Sequence, residues 1–305
     1  MKELKGIIIP AITPFDEDGK LRLDWLRENY NKWNKSRVSG YMALGSNGEF
    51  RSLSDDEAFD VIRTASEARA EDKIFIAGVG RESLYQTLKF IRRLEESKIA
   101  IDYISVLTPG YFRNAMTDEA LIDYYQTIAD FSSYPLLIYC APKFANEVCI
   151  SPQALQHLAK HPNIAGIKDT SQDMMEDYMK AVGGRDDFEV FSGSLGNIIT
   201  CLRYGGKGGI ISSANYFPNT CAKLYEIYEQ NGIEETMEYY NRLSLLSKNT
   251  GGGYGVAGVK EVMNMMGYTA GLPRKPLLPC KKEVHDKILA CLKEQADWLL
   301  DPCKL

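Results

Sequence analysis

The chain has 305 residues, of which 45% are hydrophobic and 25% are charged, and its formal net charge is −5 at pH 7. These values are typical of a globular enzyme, and the negative charge without a basic cluster excludes nucleic acid as a partner. No apolar run approaches the roughly 20 residues that cross a bilayer, so we expect no membrane partner and a cytoplasmic protein.

Eight short runs of apolar and β-branched residues recur along the chain, and a polar turn follows each run. Their continuous apolar character is typical of parallel strands that are covered on both faces. The predicted strands are Gly6–Thr13, Gly40–Leu44, Ile74–Val79, Tyr103–Leu107, Leu136–Cys140, Ile164–Lys168, Phe188–Phe191 and Gly209–Ser212.

Helix starts lie between these runs. Ser54 and Glu57 have the spacing of a capping box, Thr117 precedes an acidic first turn, and Ser151 precedes a proline that suits a first helical turn. Eight strand–helix units predict a TIM (β/α)8 barrel. A doubly wound sheet fits the spacing almost as well, so the spacing leaves both folds open.

From Asn219 onward the pattern is helical. The predicted helices are Cys221–Gln230, Ile233–Ser247, Val259–Met266 and Lys282–Leu299, with connectors at Gly251–Gly255 and Leu272–Pro279. We therefore predict a barrel core over residues 1–218. Residues 219–305 would form the last barrel helix and a C-terminal helical extension in the same structural unit.

Lys168 ends a predicted strand, and polar residues follow it at once. Alternation places Ile164, Gly166 and Lys168 on one face of that strand. If this face points into the barrel, desolvation lowers the pKa of the amine and makes it a nucleophile for a ketone. A surface lysine at the end of a strand is the alternative that this position leaves open.

Catalytic residues of TIM barrels gather at the carboxyl ends of the strands. Here these ends hold one amine, two tyrosines, several hydroxyls and two glycine-flanked loops, with neither a serine–histidine pair nor a pair of carboxylates. Such a set suits Schiff-base chemistry on an oxo-acid. The strand ends read Thr13-Pro14, Gly45–Glu49, Thr108–Tyr111, Tyr139–Pro142, Lys168–Thr170 and Ser192–Ser194.

Three of these positions have an ordinary structural alternative. Gly45-Ser46-Asn47-Gly48 suits a nest of backbone N–H groups that binds an anion, but it also suits a plain turn. Tyr139 could be an aromatic layer residue of the barrel, and Tyr111 could be a loop or interface aromatic.

The sequence offers no metal or nucleotide site. Its seven cysteines never have Cys-x-x-Cys spacing, and its three histidines form no cluster with acids. Gly253-x-Gly255-x-x-Gly258 matches a dinucleotide fingerprint, yet no strand precedes it and no acidic residue occurs from Val262 to Lys282. We discard it and predict neither a metal nor a cofactor beyond a covalent lysine imine.

Together these motifs resemble the dihydrodipicolinate synthase / N-acetylneuraminate lyase superfamily of class I pyruvate aldolases, from about Gly6 to about Pro279. The resemblance implies a TIM barrel with C-terminal helices, assembled as a homo-oligomer, usually a tetramer built from two dimers. It implies that Lys168 forms a Schiff base with pyruvate or a pyruvoyl substrate, and that Tyr139 is the proton shuttle.

The resemblance also implies binding roles. Ser46 would link Tyr139 to Tyr111, which in this superfamily is contributed across a dimer interface. The backbone of Ser46 and Asn47 would hold the pyruvoyl carboxylate. Ile211 would line the pyruvate pocket. Gly193 and Ser194 would border the site of the second substrate.

Within the superfamily the sequence is most similar to 4-hydroxy-2-oxoglutarate aldolases, through Gly-Ser-Asn-Gly-Glu-Phe at 45–50 and Tyr-Phe-Arg at 111–113. Dihydrodipicolinate synthases carry an arginine five residues after the shuttle tyrosine, and here that residue is Phe144. Their paired threonines are replaced by Ser46 and Asn47.

We therefore expect reversible aldol cleavage of a 4-hydroxy-2-oxo acid to pyruvate and an aldehyde. A synthase that condenses pyruvate with aspartate semialdehyde is the first alternative. A non-catalytic binding protein on the same scaffold is the second alternative, although it predicts the loss of Lys168 or Tyr139, and both are present.

Overall fold

The structure is a computed structural model that describes residues 2–171 and 173–302. Within these residues eight strands are hydrogen-bonded in chain order and form a closed barrel. The TIM barrel prediction is confirmed, and the doubly wound alternative is wrong because an open sheet has two edge strands. The strands are β1 (Gly6–Pro10), β2 (Gly40–Ala43), β3 (Ile74–Gly78), β4 (Tyr103–Leu107), β5 (Leu136–Cys140), β6 (Ile164–Asp169), β7 (Glu189–Ser192) and β8 (Gly208–Ile210).

The strands lie close to their predicted positions because they are buried on both faces. Every residue of β1, β3, β4 and β5 is buried, which explains continuous apolar runs in place of alternation. β1 ends at Pro10 and not at the predicted Thr13, because the Ile12 amide donates to the Asn215 side chain and not to a strand carbonyl.

A helix follows each strand, and three further helices complete the described chain. The helices are α1 (Leu23–Trp33), α2 (Asp55–Ala68), α3 (Leu84–Glu96), α4 (Asp118–Phe131), α5 (Pro152–Leu158), α6 (Met175–Val182), α7 (Ile198–Arg203), α8 (Pro218–Asn231), α9 (Ile233–Asn249), α10 (Gly255–Met265) and α11 (Lys282–Gln295).

The predicted helix starts are confirmed by their hydrogen bonds. Ser54 and Glu57 form a reciprocal capping box at α2, so two amides that a helix start leaves unpaired are satisfied. The side chains of Thr117 and Ser151 accept from backbone amides in the first turns of α4 and α5.

The C-terminal helices differ most from the prediction at the start of α10 and at the end of α11. α10 begins at Gly255, four residues before the predicted Val259. A Cβ at Gly258 would lie 2.8 Å from the Gly251 carbonyl oxygen, so glycine at this position allows the chain to pack closely. α11 ends at Gln295, and the chain then turns so that the Asp301 carboxylate caps α8.

Contacts divide the chain into two compact units, Met1–Lys5 with Phe75–Ile210 and Gly6–Ile74 with Ile211–Leu305. The predicted boundary after residue 218 coincides with neither division. That the barrel and the C-terminal helices act as one structural unit stays a prediction. In the part of the chain that the structure describes, no helix is long and apolar enough to cross a membrane.

The strand register in the first unit sets the candidate site. Parallel pairing aligns Leu107 with Tyr139, Tyr139 with Lys168, and Lys168 with Phe191 across β4 to β7. Paired residues of neighbouring strands point to the same face of a sheet, so the side chains of Tyr139 and Lys168 leave the barrel wall together.

Candidate active site

Lys168 is a buried lysine at the carboxyl end of β6. Its residue surface is only 3% exposed, and the loss of solvation lowers the pKa of its amine to about 7. An amine with that pKa is about half neutral at pH 7. The predicted desolvated amine is therefore present, and the alternative of a solvated surface lysine is wrong, while the role of this amine as a nucleophile stays a prediction.

Tyr139 lies directly beside this amine. Lys168 Nζ is 4.2 Å from the centroid of the Tyr139 ring, and Tyr139 itself is buried. The β5–β6 register brings the two residues side by side. The structure thus joins the predicted nucleophile and the predicted proton shuttle, although their catalytic roles stay predictions.

A β-bulge precedes Lys168 on its strand. The register against β5 shifts between Ile164 and Gly166, so Ala165 is an extra residue that interrupts the predicted alternation. Gly166 is required there because an added Cβ would lie 2.1 Å from the Glu189 carbonyl oxygen on β7. The alternation that carries Lys168 inward therefore begins at Gly166.

Asp169 is buried next to Lys168 and faces the other side of β6. Burial raises the pKa of its carboxyl to about 6, although two hydrogen bonds from Ser171 oppose that rise. The Ser171 amide and hydroxyl each donate to the carboxylate at 2.9 Å. These two hydrogen bonds hold the turn that directly follows Lys168.

The predicted second-substrate positions lie at the end of β7. The Gly193 amide donates to the Asp169 carbonyl at 2.5 Å, and the Ser192 hydroxyl donates to the Ser194 carbonyl at 2.6 Å. The Asn197 side-chain amide donates to the Ser171 carbonyl. The loops after β6 and β7 are therefore held together, with Gly193 and Ser194 half-buried.

Tyr111 is exposed on the loop after β4. Its residue surface is 77% exposed, and its ring packs edge-on against Phe112 with centroids 4.9 Å apart. The amides of Gly110 and Tyr111 both donate to the Glu82 carboxylate, so the loop is anchored while the rings remain outside. Such exposure suits a side chain that serves a neighbouring subunit, which stays a prediction.

Ser46 and Asn47 begin a 3-10 turn, Ser46–Gly48, in the second unit. The Asn47 side-chain amide donates to the Ser212 hydroxyl at 2.8 Å, and the Thr13 hydroxyl donates to the Gly48 carbonyl at 2.7 Å. The loop is thus held at both ends. Its predicted role as a carboxylate nest, and the link from Tyr139 through Ser46 to Tyr111, stay predictions.

Ile211 is fully buried directly after β8. The following turn is tied to β1 by Asn215, whose side chain donates to the Pro10 carbonyl at 2.9 Å and accepts from the Ile12 amide at 3.1 Å. Asn47 contacts the residue after Ile211. The predicted pocket-lining residue and the predicted carboxylate loop are therefore neighbours.

A buried ion pair beneath this loop was not predicted from the sequence. Glu49 adopts a left-handed conformation with φ 50°, and its carboxylate is 2.6 Å from the Lys260 ammonium, with both side chains 1% exposed. Lys260 also donates to the Leu272 carbonyl, and the Arg274 amide donates to Glu49. Only the place of Glu49 after Gly48 hinted at such a role, because Lys260 reads as an ordinary helix lysine.

Within residues 2–171 and 173–302, no group of three histidine, cysteine, aspartate or glutamate side chains could hold a metal ion. The absence of a metal from the reaction stays a prediction.

Comparisons with known proteins show which family this chain belongs to. The model of the dihydrodipicolinate synthetase family matches residues 3–295. An uncharacterized DapA-like lyase of Thermococcus kodakarensis is 31% identical over 297 residues, covering 95% of this chain and 99% of the relative. A 4-hydroxy-tetrahydrodipicolinate synthase of Haloarcula marismortui is 30% identical over 94% of this chain and 92% of its own.

A solved structure agrees with the sequence comparison. The dihydrodipicolinate synthase of Aquifex aeolicus superposes with a TM-score of 0.89 at 25% identity, covering 99% of this chain and 100% of its own. The likeness therefore extends over the barrel and the C-terminal helices together.

Proposed function

This chain belongs to the dihydrodipicolinate synthetase family of carbon–carbon lyases, and from that premise we propose that it cleaves a 4-hydroxy-2-oxo acid to pyruvate and an aldehyde through a lysine Schiff base. The observation that carries the proposal is the buried Lys168 amine, whose pKa is lowered to about 7, beside the Tyr139 ring. A neutral amine at physiological pH is what attack on a ketone requires.

Lys168 and Tyr139 carry the first half of the proposed reaction. The neutral amine attacks C2 of the oxo acid, and the resulting carbinolamine loses water to become an iminium. Tyr139 delivers and removes the protons of these steps, a role that its contact with the amine supports. Burial of both side chains excludes bulk water from the charge that develops.

Cleavage follows because the iminium accepts electrons. Loss of the proton from the C4 hydroxyl lets the C3–C4 bond break, the aldehyde leaves, and the bonding electrons form an enamine. Protonation at C3 and hydrolysis of the imine then release pyruvate and restore the neutral Lys168 amine. The reverse sequence is aldol addition.

The remaining residues bind and orient the substrate. We assign the carboxylate of the oxo acid to the backbone of Ser46 and Asn47 and the apolar lining to Ile211, because the Asn47 side chain is hydrogen-bonded to the residue that follows Ile211. We assign the aldehyde half to Gly193 and Ser194. Tyr111 of one copy is assigned to the site of another copy in a homo-oligomer, in accord with its exposure.

The names of curated relatives favour a second candidate function. Several are called 4-hydroxy-tetrahydrodipicolinate synthase, which supports condensation of pyruvate with an aldehyde that carries a carboxylate. Phe144 opposes it: this side chain ends the 3-10 turn Pro142–Phe144 after β5, is 52% exposed and has no charge. A guanidinium there would grip a second carboxylate by two hydrogen bonds.

Borohydride trapping tests the proposal. Reduction of the iminium in the presence of pyruvate should convert it to a stable secondary amine, so that activity is lost and one added mass maps to Lys168. Lys260 is the internal control, because it is also buried with a pKa lowered to about 8 but is paired with Glu49. Lys168→Ala should remain folded and take no label, and a label on any other lysine would overturn the mechanism.

A further inference from the structure

Two cysteines and a tyrosine hydroxyl meet on the outer side of β5. Cys140, the last residue of β5, is buried, and Cys149 lies half-buried nine residues later, before α5. Their sulfur atoms are 3.2 Å apart. The Tyr178 hydroxyl on α6 is 3.4 Å from the Cys140 sulfur and 3.1 Å from the Cys149 sulfur.

Hydrogen bonding makes the two thiols chemically different. The Tyr178 hydroxyl donates to the Ile150 carbonyl at 2.6 Å, which leaves its oxygen to accept from a thiol. The hydrogen bond from Cys140 lowers the pKa of the Cys149 thiol to about 7, against the effect of burial, and the pKa of Cys140 is raised. Cys149 is therefore both the more exposed thiol of the pair and the one that loses its proton more readily.

We propose that Cys140 and Cys149 form a hydroperoxide-sensitive thiol pair that closes an intramolecular disulfide next to Tyr139. The Cys149 thiolate attacks one peroxide oxygen, the O–O bond breaks, and hydroxide leaves, so that Cys149 becomes a sulfenic acid. The Cys140 sulfur then attacks the Cys149 sulfur, the S–O bond breaks, and the Cys140 proton leaves with the hydroxyl as water. Each sulfur gives up one electron to the peroxide, and a dithiol reductant reverses the change.

The surroundings allow this closure. A disulfide requires the sulfur atoms to approach by about 1 Å from their present separation. Cys140 is held in β5 by pairing with Asp169 and by the Thr170 amide. Movement therefore falls on the Cys149 side and on the loop between the two cysteines, which contains Phe144.

The other described cysteines lack these properties. Cys201 and Cys221 are fully buried, and burial raises the pKa of both thiols. Cys280 and Cys291 are half-buried, and burial raises their pKa values as well. Among residues 2–171 and 173–302, a lowered thiol pKa beside a second sulfur is found at Cys149.

Closure should reduce turnover, an expectation that rests on the proposed function. Tyr139 precedes Cys140 in β5 and lies 4.2 Å from the Lys168 amine. A displacement of about 1 Å at a catalytic group can lower a rate as much as a hundredfold. The displacement here falls mainly on the loop, so we expect kcat to fall by about tenfold, with little change in KM for the oxo acid.

Peptide mapping is the direct test. The full-length protein is treated with hydrogen peroxide at pH 8, its remaining thiols are alkylated, and peptides are compared without and with reductant. We expect a reducible cross-link between Cys140 and Cys149 that forms more slowly at pH 6. Cys149→Ser should abolish it, and Cys291→Ser, which removes a half-buried thiol outside the pair, should leave it unchanged.

Each contrary result has a definite meaning. Sulfinic acid at Cys149 without a cross-link, or a cross-link to a different cysteine, would overturn the thiol pair. A cross-link that leaves pyruvate release unchanged would overturn the coupling to Tyr139 while the modification site stands. A reduced protein that releases no pyruvate would sink the proposed function alone, because the mapping does not depend on activity.

Discussion

At the scale of single residues, the proposed chemistry depends on the contact between the Lys168 amine and the Tyr139 ring. Lys168 is buried, and its Nζ atom lies 4.2 Å from the centroid of the Tyr139 ring. Desolvation disfavours the ammonium form, so burial lowers the pKa of Lys168 to a value at which its amine could act as the proposed nucleophile.

The pH dependence of cleavage should follow this amine. Below its pKa the nitrogen carries a proton and has no lone pair, so kcat/KM should rise with pH through about 7 and level off above it. Steady-state rates from pH 5 to pH 9 would measure the midpoint. Tyr139→Phe should keep that rise while turnover falls roughly 10²–10⁴-fold.

A different midpoint would reassign the titrating group. Burial raises the pKa of Asp169 to about 6, so a rise centred one unit lower would point to that carboxyl. A Tyr139→Phe enzyme of nearly normal turnover would remove the tyrosine from its proposed role.

Phe144 should decide the second substrate. Without a cation at this position we expect cleavage of 4-hydroxy-2-oxo acids to exceed condensation with aspartate semialdehyde in kcat/KM. A charge-assisted hydrogen bond contributes about 1.5–3 kcal/mol. Because the position is half-exposed, Phe144→Arg should raise condensation by the lower end of that range, about tenfold. Both assays are run on one preparation.

Phe144→Leu is the matched control, since it changes the shape of the side chain without adding charge, and it should leave the ratio of the two activities unaltered. If the unmodified protein already condenses tenfold faster than it cleaves, the synthase function wins. Lys143 and Arg113 then become the first candidates for the missing cation.

At the scale of elements, the loop after β2 is held by a charge pair beneath it. Glu49 directly follows the 3-10 turn Ser46–Gly48 in a left-handed conformation. Its carboxylate forms an ion pair with Lys260 of α10. Arg274 adds its backbone amide to the same carboxylate. Because both charges are buried, the attraction between them must offset the free energy that each loses on leaving water.

Lys260→Met should destabilise the protein by about 3–5 kcal/mol, because it leaves the Glu49 carboxylate buried without its counter-charge. The midpoint of urea unfolding measures the effect. The double variant Glu49→Gln with Lys260→Met should recover part of the loss. Lys180→Met removes an exposed partner of Glu176 and should leave the midpoint unchanged, and an equal loss in both lysine variants would argue against the pair.

At the scale of the whole molecule, the rings of Tyr111 and Phe112 are exposed on the loop after β4. We propose assembly as a homo-oligomer in which Tyr111 completes the site of a neighbouring copy. The exposed pair of rings supports this assembly, since large apolar side chains adjacent on a surface mark interaction sites.

Subunit complementation tests that assembly. Lys168→Ala and Tyr111→Phe should each lose most activity, but a mixed oligomer of the two contains sites with an intact lysine and a neighbour's intact tyrosine. Equal co-expression should therefore restore about a quarter of wild-type activity if the units are dimers. Restoration absent in oligomers proven to be mixed would place Tyr111 in its own chain's site or outside the reaction.

Much of this architecture could be predicted from the sequence, because its causes are local. The strand positions follow from short apolar runs, and the starts of α2, α4 and α5 follow from capping side chains three residues from the amides that they satisfy. Lys168 could be placed at a strand end for the same reason. The start of α10 at Gly255 could not, since the first turns of this helix include the close approach of Gly258 to the Gly251 carbonyl.

By itself the sequence determined the strand positions, the family resemblance and the candidate nucleophile. Only the tertiary structure decided the burial and lowered pKa of that amine, the pairing of Glu49 with Lys260, and the contacts among Cys140, Cys149 and Tyr178. The physical reason is that desolvation and ion pairing depend on which groups share a small volume. Residues that are distant along the chain come together in that volume only through tertiary packing, and no local sequence pattern predicts such contacts.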